Sequence, residues 1–156
     1  MKTSVLFLIL AMLCGSVVQA APDSFIYEGY LTDNGAAVNG SANLLVEIKI
    51  PSTTCVVYQK SYSGVSVTNG YFSIRIDNNP TLWWDSSNGA SSSKFRQIFQ
   101  AGNFPPGGLC PSGGSAGSVA ERQMYVTYQS GSNPVFGPIS LESVPFATIA
   151  AEAEVV

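Results

Sequence analysis

The sequence predicts an all-β fold: an antiparallel β-sandwich with one short helix and long loops rich in Gly, Pro and Ser. Three observations carry that expectation. In residues 44–50 apolar and polar positions alternate, so that Leu44, Val46, Ile48 and Ile50 share one face while Glu47 and Lys49 take the other. Dipeptides that favour tight turns, Asn69-Gly70 above all, separate runs of this kind. Between residues 77 and 119 only residues 94–100 carry apolar side chains at helical spacing, with Phe95, Ile98 and Phe99 at i, i+3 and i+4.

The chain opens with the pattern of an export leader over residues 1–20. Lys2 is a short positive start, residues 5–13 are an unbroken apolar run, and Val18-Gln19-Ala20 suits cleavage after Ala20. The apolar run is shorter than the roughly 20 residues that span a bilayer, so no membrane span is expected after cleavage. Beyond it, residues 21–143 are expected to form one domain and residues 144–156 an apolar tail. Six basic residues then stand against ten acidic ones with no basic cluster, which argues against a nucleic-acid partner.

Each strand has its own warrant. In residues 25–31, Phe25, Tyr27 and Leu31 share a face, and Gly29 suggests a bulge or a close backbone approach. A polar connection carrying Asp33, Asn34, Gly35, Asn39 and Gly40 leads to strand 44–50, which Pro51 stops because proline cannot donate to a ladder. Residues 55–62, rich in β-branched and aromatic side chains, follow closely enough to form a hairpin with it. Residues 64–67 and 71–76 continue what reads as a meander, with Phe72, Ile74 and Ile76 inward and Arg75 outward. After Asp77 the texture changes to glycine- and proline-rich loops, broken by the helix that Ser91–Ser93 can cap. Residues 122–129 place Met124, Val126 and Tyr128 on one face. Residues 135–141 contain Gly137-Pro138 and read as an edge strand.

Cys55 and Cys110 remain after cleavage, and an even count in an oxidising compartment predicts a disulfide. It would close a loop of about 56 residues and contribute roughly 4 kcal/mol.

The chain has no histidine, so the usual general base and commonest metal ligand are missing, and no cofactor or metal is expected. Asp33, Asp77 and Asp85 could act as carboxylate catalysts, but they equally suit turns and caps. Trp83 and Trp84 are the candidate ligand contacts. Neighbouring aromatics on a loop can stack on sugar rings, while the plainer alternative is packing against the core. In the tail, Phe146, Ile149, Ala150 and Ala153 fall on one helical face, a candidate oligomer interface.

One set of motifs recurs in a known family. Phe25, Tyr27, Gly29, Leu31, Asp33, Gly35, Val38 and Gly40 open the mature chain in a fixed order. The strand LLVEIKI, the cysteine strand CVVYQKSY, Gly70-Tyr71-Phe72, a second cysteine in a Gly/Pro loop and Val144-Pro145-Phe146-Ala147 follow. In this order they resemble the N-terminal β-domain of secreted, tail-fibre-like surface proteins of predatory and related bacteria. The resemblance implies a non-enzymatic structural or adhesion module, exported to the cell surface. It also implies self-association, usually as a trimer, or assembly with other fibre subunits. The opening motif is also similar to transthyretin-like and collagen-adhesin B-type sandwich domains. The alternative expectation is a small secreted carbohydrate-binding module that holds a surface glycan through Trp83 and Trp84.

Overall fold

The computed structural model describes residues 23–116, 121–130 and 134–141. The leader, the tail and with it Phe146, Ile149, Ala150 and Ala153 lie outside the described residues.

The fold is all-β with one short helix. Six strands have seven residues or more: β1 (Ser24–Tyr30), β4 (Gly40–Lys49), β5 (Val56–Val67), β6 (Tyr71–Asp77), β10 (Arg122–Tyr128) and β11 (Val135–Leu141). Five are short: β2 (Thr32–Asp33), β3 (Ala36–Ala37), β7 (Leu82–Trp83), β8 (Gly102–Phe104) and β9 (Gly114–Ala116). A five-stranded antiparallel sheet has the order β11-β10-β4-β5-β7, and β1 pairs with β6 in a separate two-stranded ribbon. Alternate residues of both enter one hydrophobic cluster. Leu44, Val46, Ile48, Met124 and Val126 come from the sheet, and Phe72, Ile74 and Ile76 from the ribbon.

The alternation read in residues 44–50 holds throughout β4, whose buried positions are Ala42, Leu44, Val46 and Ile48. The hairpin with the cysteine strand is present as β4–β5. Two expectations of connectivity are corrected, the break after residue 62 and the meander. Residues 25–31 and 44–50 lie in different sheets, and the chain between them folds on itself as the β2–β3 hairpin. Its Asn34 and Gly35 both have positive φ, 51° and 81°, the type I′ geometry that suits the twist of flanking strands. Segments 55–62 and 64–67 are one continuous strand, β5, because Gly64 takes φ +69° and carries the chain past a register shift between Ala42 and Leu44. The meander also ends at Asn69-Gly70. β6 turns away from β5 and pairs with β1, and side chains fill the gap that opens. Tyr62 Oη donates to Arg75 O at 2.6 Å, and Lys60 Nζ donates to Asp77 Oδ1 at 2.6 Å.

Gly29 marks a close approach and not a bulge, since the β1–β6 register runs without a shift. Phe72 lies directly opposite, and a Cβ at position 29 would come within 2.7 Å of its ring. That ring is held in the core beside Tyr27, 5.9 Å away and edge-on, and cannot swing aside. Gly29→Ala is therefore expected to cost about 1–3 kcal/mol through overpacking. Glu28→Ala, on the exposed face, should stay within about 0.5 kcal/mol of the parent. Paired urea titrations of the two variants measure the difference.

The helix α1 (Ser92–Gln97) starts earlier and ends earlier than residues 94–100. Ser91 is the N-cap, its Oγ accepting from Lys94 N at 3.4 Å, which sets the start. Phe95 and Ile98 are buried as the spacing implies. The last strand is an edge strand as expected, with a cis Gly137–Pro138 bond and a register shift against β10. Among the described residues no helix is long and apolar enough to cross a membrane.

Candidate functional site

Trp83 belongs to β7, the short strand that pairs with the edge of β5. It stands opposite Tyr58 and is 1% exposed. The loop that follows curls back over it. Trp83 N donates to Ser87 O, Ser86 N donates to Trp83 O, and the indole Nε1 donates to Gly89 O at 3.0 Å. The whole ring is thus committed to the interior. Trp84 is 8% exposed, packs edge-on against Phe104 at 5.0 Å, and has Lys94 Nζ 5.4 Å from its ring centroid.

These two rings sit in a longer succession of edge-to-face contacts. Phe25 meets Phe99, Phe99 meets Phe95, Phe95 meets Tyr58, Tyr58 meets Trp83, Trp83 meets Trp84 and Trp84 meets Phe104. Such pairs add about 0.5–1.5 kcal/mol each beyond their buried area. The succession joins β1, α1, β5, β7 and β8, so the loop-rich segment after Asp77 is part of the core. Arg122 closes it, with its guanidinium carbon 5.5 Å from the centre of the Phe104 ring.

Arg122 is wholly buried. Its Nη2 donates to Gln100 O at 2.9 Å and its Nη1 to Glu121 O at 2.7 Å, tying the turn after α1 to the start of β10. Burial pulls its pKa down to about 10, which leaves it charged at neutral pH. Sequence reasoning counted the charge of Arg122 and set it at the head of strand 122–129, but did not assign it to the buried face. The signal was nonetheless there, since the two-residue period that buries Met124, Val126 and Tyr128 also points Arg122 inward.

Between the end of α1 and β8 lies a cleft of about 450 Å³, lined by Trp84, Gln97, Gln100, Asn103, Phe104 and Pro105. The structure brings Trp84 to this cleft and leaves Trp83 behind it. Aromatic edges and amide side chains in one concavity can hold a neutral polar ligand such as a sugar.

The three aspartates go to separate tasks. Asp33 lies in the β2–β3 hairpin. Asp77 accepts from Lys60 and from Asn79 N. Asp85 accepts from Lys94 Nζ at 2.6 Å and from Ser87. Among the described residues no three Asp, Glu or Cys side chains gather where they could hold a metal ion.

The Lys94 ammonium, followed by the Ser87 hydroxyl, pulls the Asp85 carboxyl down to about 2. A carboxyl held below its unfolded value stabilises the fold above that value and loses the contribution as pH falls through the folded value. The pair is solvent-exposed, so about 0.5 kcal/mol is at stake, lost between about pH 4 and pH 2. In urea titrations Asp85→Asn should lower the midpoint at pH 6 and lower it much less at pH 2. An equal shift at both pH values would show that the pairing contributes nothing through its charge.

Cys55 and Cys110 are joined in a disulfide, both sulfurs buried. Backbone bonds flank it, Val56 N to Leu109 O at 2.9 Å and Gly113 N to Cys110 O at 3.0 Å.

The chain matches no known family model, curated protein or solved structure. What its site can do rests on the residues themselves.

Proposed function

We propose that this chain is a non-enzymatic structural module of an exported surface fibre, acting in assembly or surface attachment. The supporting observation is the outer face of the β1–β6 ribbon. Ile26 is 69% exposed, Tyr71 68% and Tyr30 50%, and the two tyrosines stand opposite one another with ring centroids 5.0 Å apart. Ile26 stands opposite Arg75, and Glu28 and Ser73 lie between it and the tyrosine pair, so the face is a mixed one of aromatic, apolar and charged side chains that can serve as a contact surface. Secretion follows from the leader pattern and accords with the disulfide, which persists in oxidising compartments. Trimeric self-association belongs to the same reading, through Phe146, Ile149, Ala150 and Ala153 of the tail. Light scattering on the secreted protein, with and without residues 146–156, tests it. A mass that does not fall on deletion removes the tail from assembly.

A second reading is a glycan contact at the cleft, favoured by the meeting of Trp84 with Gln97, Gln100 and Asn103. Gln97 and Asn103 are exposed, so Gln97→Ala and Asn103→Ala leave the core alone. A glycan array whose signals are the same for these variants and the parent would end that reading.

A further inference from the structure

The open edges of the sheets are not alike. Natural proteins blunt an edge with proline, a bulge, lysine or shortness, because an exposed regular edge invites another strand. β11 carries Pro138 and a register shift, and β7 is two residues long. β1 has no proline, bulge or lysine and is not short; its single charge is Glu28. It has seven residues, SFIYEGY, in seven consecutive pairs with β6 and no shift.

The direction of its free backbone groups can be worked out. Thr68 and Tyr71 exchange both backbone hydrogen bonds, at 2.9 Å each, so the groups of Tyr71 point away from β1. Leu31 N donates to Gly70 O at 2.7 Å. Bonding alternates along an antiparallel ladder. The groups of Phe25, Tyr27 and Gly29 therefore face β6, and those of Ser24, Ile26, Glu28 and Tyr30 face the other side. Among the described residues no strand lies there.

We propose that β1 pairs antiparallel with β1 of a second copy across a two-fold axis at Tyr27, joining two ribbons into one four-stranded sheet. This deepens the assembly reading above and rests on it. The strand is complementary to itself in this register. Ile26 meets Glu28 of the second copy and Ser24 meets its Tyr30, so all four outward-facing residues pair with members of the same set. The ladder pattern then gives about eight backbone hydrogen bonds. Glu28 is the one charged residue in β1. Centring the axis on Glu28 would set two carboxylates opposite each other, which is destabilising, and centring it on Ile26 would leave Tyr30 without a partner in β1, so charge and pairing together select the Tyr27 register. An isologous joint needs this self-complementarity, in which residue i meets j and j meets i.

Sedimentation of the full secreted chain over a range of concentrations tests the proposal. Ile26→Lys puts a charge on the edge at an exposed position. Glu28→Pro removes an outward-facing N–H and leaves the β1–β6 bonds in place. Circular dichroism and the intact disulfide check that both variants are folded. The parent should show a two-fold association step, between single chains or between tail-joined assemblies, whose dissociation constant rises by about tenfold or more in each variant. In hydrogen exchange the amides of Ile26, Glu28 and Tyr30 should gain protection as concentration rises. A parent that stays monomeric, or that associates equally well in both variants, overturns the inference. So does association that leaves those three amides unprotected. Association lost on deleting residues 144–156 but untouched by Ile26→Lys and Glu28→Pro overturns the β1 joint and leaves the fibre reading standing. The reverse pattern keeps the joint and removes the tail.

Discussion

Replacing Cys55 and Cys110 together by alanine is expected to destabilise the protein by about 4 kcal/mol, the chain-entropy value for a loop of this length. The two cysteines are 55 residues apart, and their bond ties β5 to the loop before β9. Without it the unfolded chain regains the freedom of that whole loop. The β8–β9 pair shares no strand with the main sheet, so besides the bridge it is held by Phe104 against Trp84 and Arg122 and by the backbone bonds of Leu109 to Trp84 and Val56. Gly114 adds to the effect, since a Cβ there would come within 3.2 Å of Cys55 Sγ, and the backbone of β9 sits directly on the bridge. A small domain is stable by about 5–15 kcal/mol, so the loss is a large share of the total. Urea unfolding of the parent and the double variant measures it, and hydrogen exchange should show residues 102–116 opening first. Coincident unfolding curves would mean that the bridge joins segments already fixed by packing.

Trp83→Ala is expected to cost about 3–5 kcal/mol, the range for removing a large aromatic from a core. The ring is 1% exposed and stands inside the aromatic succession, touching Tyr58 on one side and Trp84 on the other. Its removal also leaves Gly89 O without its donor. Trp83→Phe keeps much of the volume but loses that hydrogen bond, so about 1–2 kcal/mol of the cost should remain. Chemical unfolding of the three proteins at one temperature measures the series. If Trp83→Ala unfolds at the parent's midpoint, the ring does not organise the loop. The result also governs ligand experiments, because any binding lost in Trp83→Ala has to be separated from loss of fold.

The strands were legible where one face is buried and the other wet. β4, β6 and β10 each show that alternation in sequence, and each buries the residues the alternation selects. The helix was legible through Ser91, Phe95 and Ile98, although its ends moved by two or three residues. Pairing was not legible beyond adjacent strands. Period two tells which way Phe72 points but carries nothing about whether β6 continues beside β5 or crosses to β1. That choice rests on the seven-pair ladder with β1, a long-range match of two strands that period two does not encode. The tryptophans show the same limit. Composition marks them as important, yet only the curl of residues 86–89 over Trp83 separates the buried ring from the one that borders the cleft. Arg122 was missed because charge was read before period.

The pairing of β4 with β10 bears on when this protein can fold. β4 is the middle strand of the main sheet, and its Lys49 stands opposite Gln123. The β4–β5 and β10–β11 hairpins are local and can close as soon as each is synthesised. The two joints that assemble the molecule, β1–β6 and β4–β10, are not. At ribosomal speeds of about 5–20 residues per second, Lys49 waits on the order of 4–15 s for its partner. During that interval the nascent chain holds hairpins without a finished core, and non-local closure is slow in its own right. A chain in that state has local hairpins and an open core, and its final shape waits for the last strands to arrive.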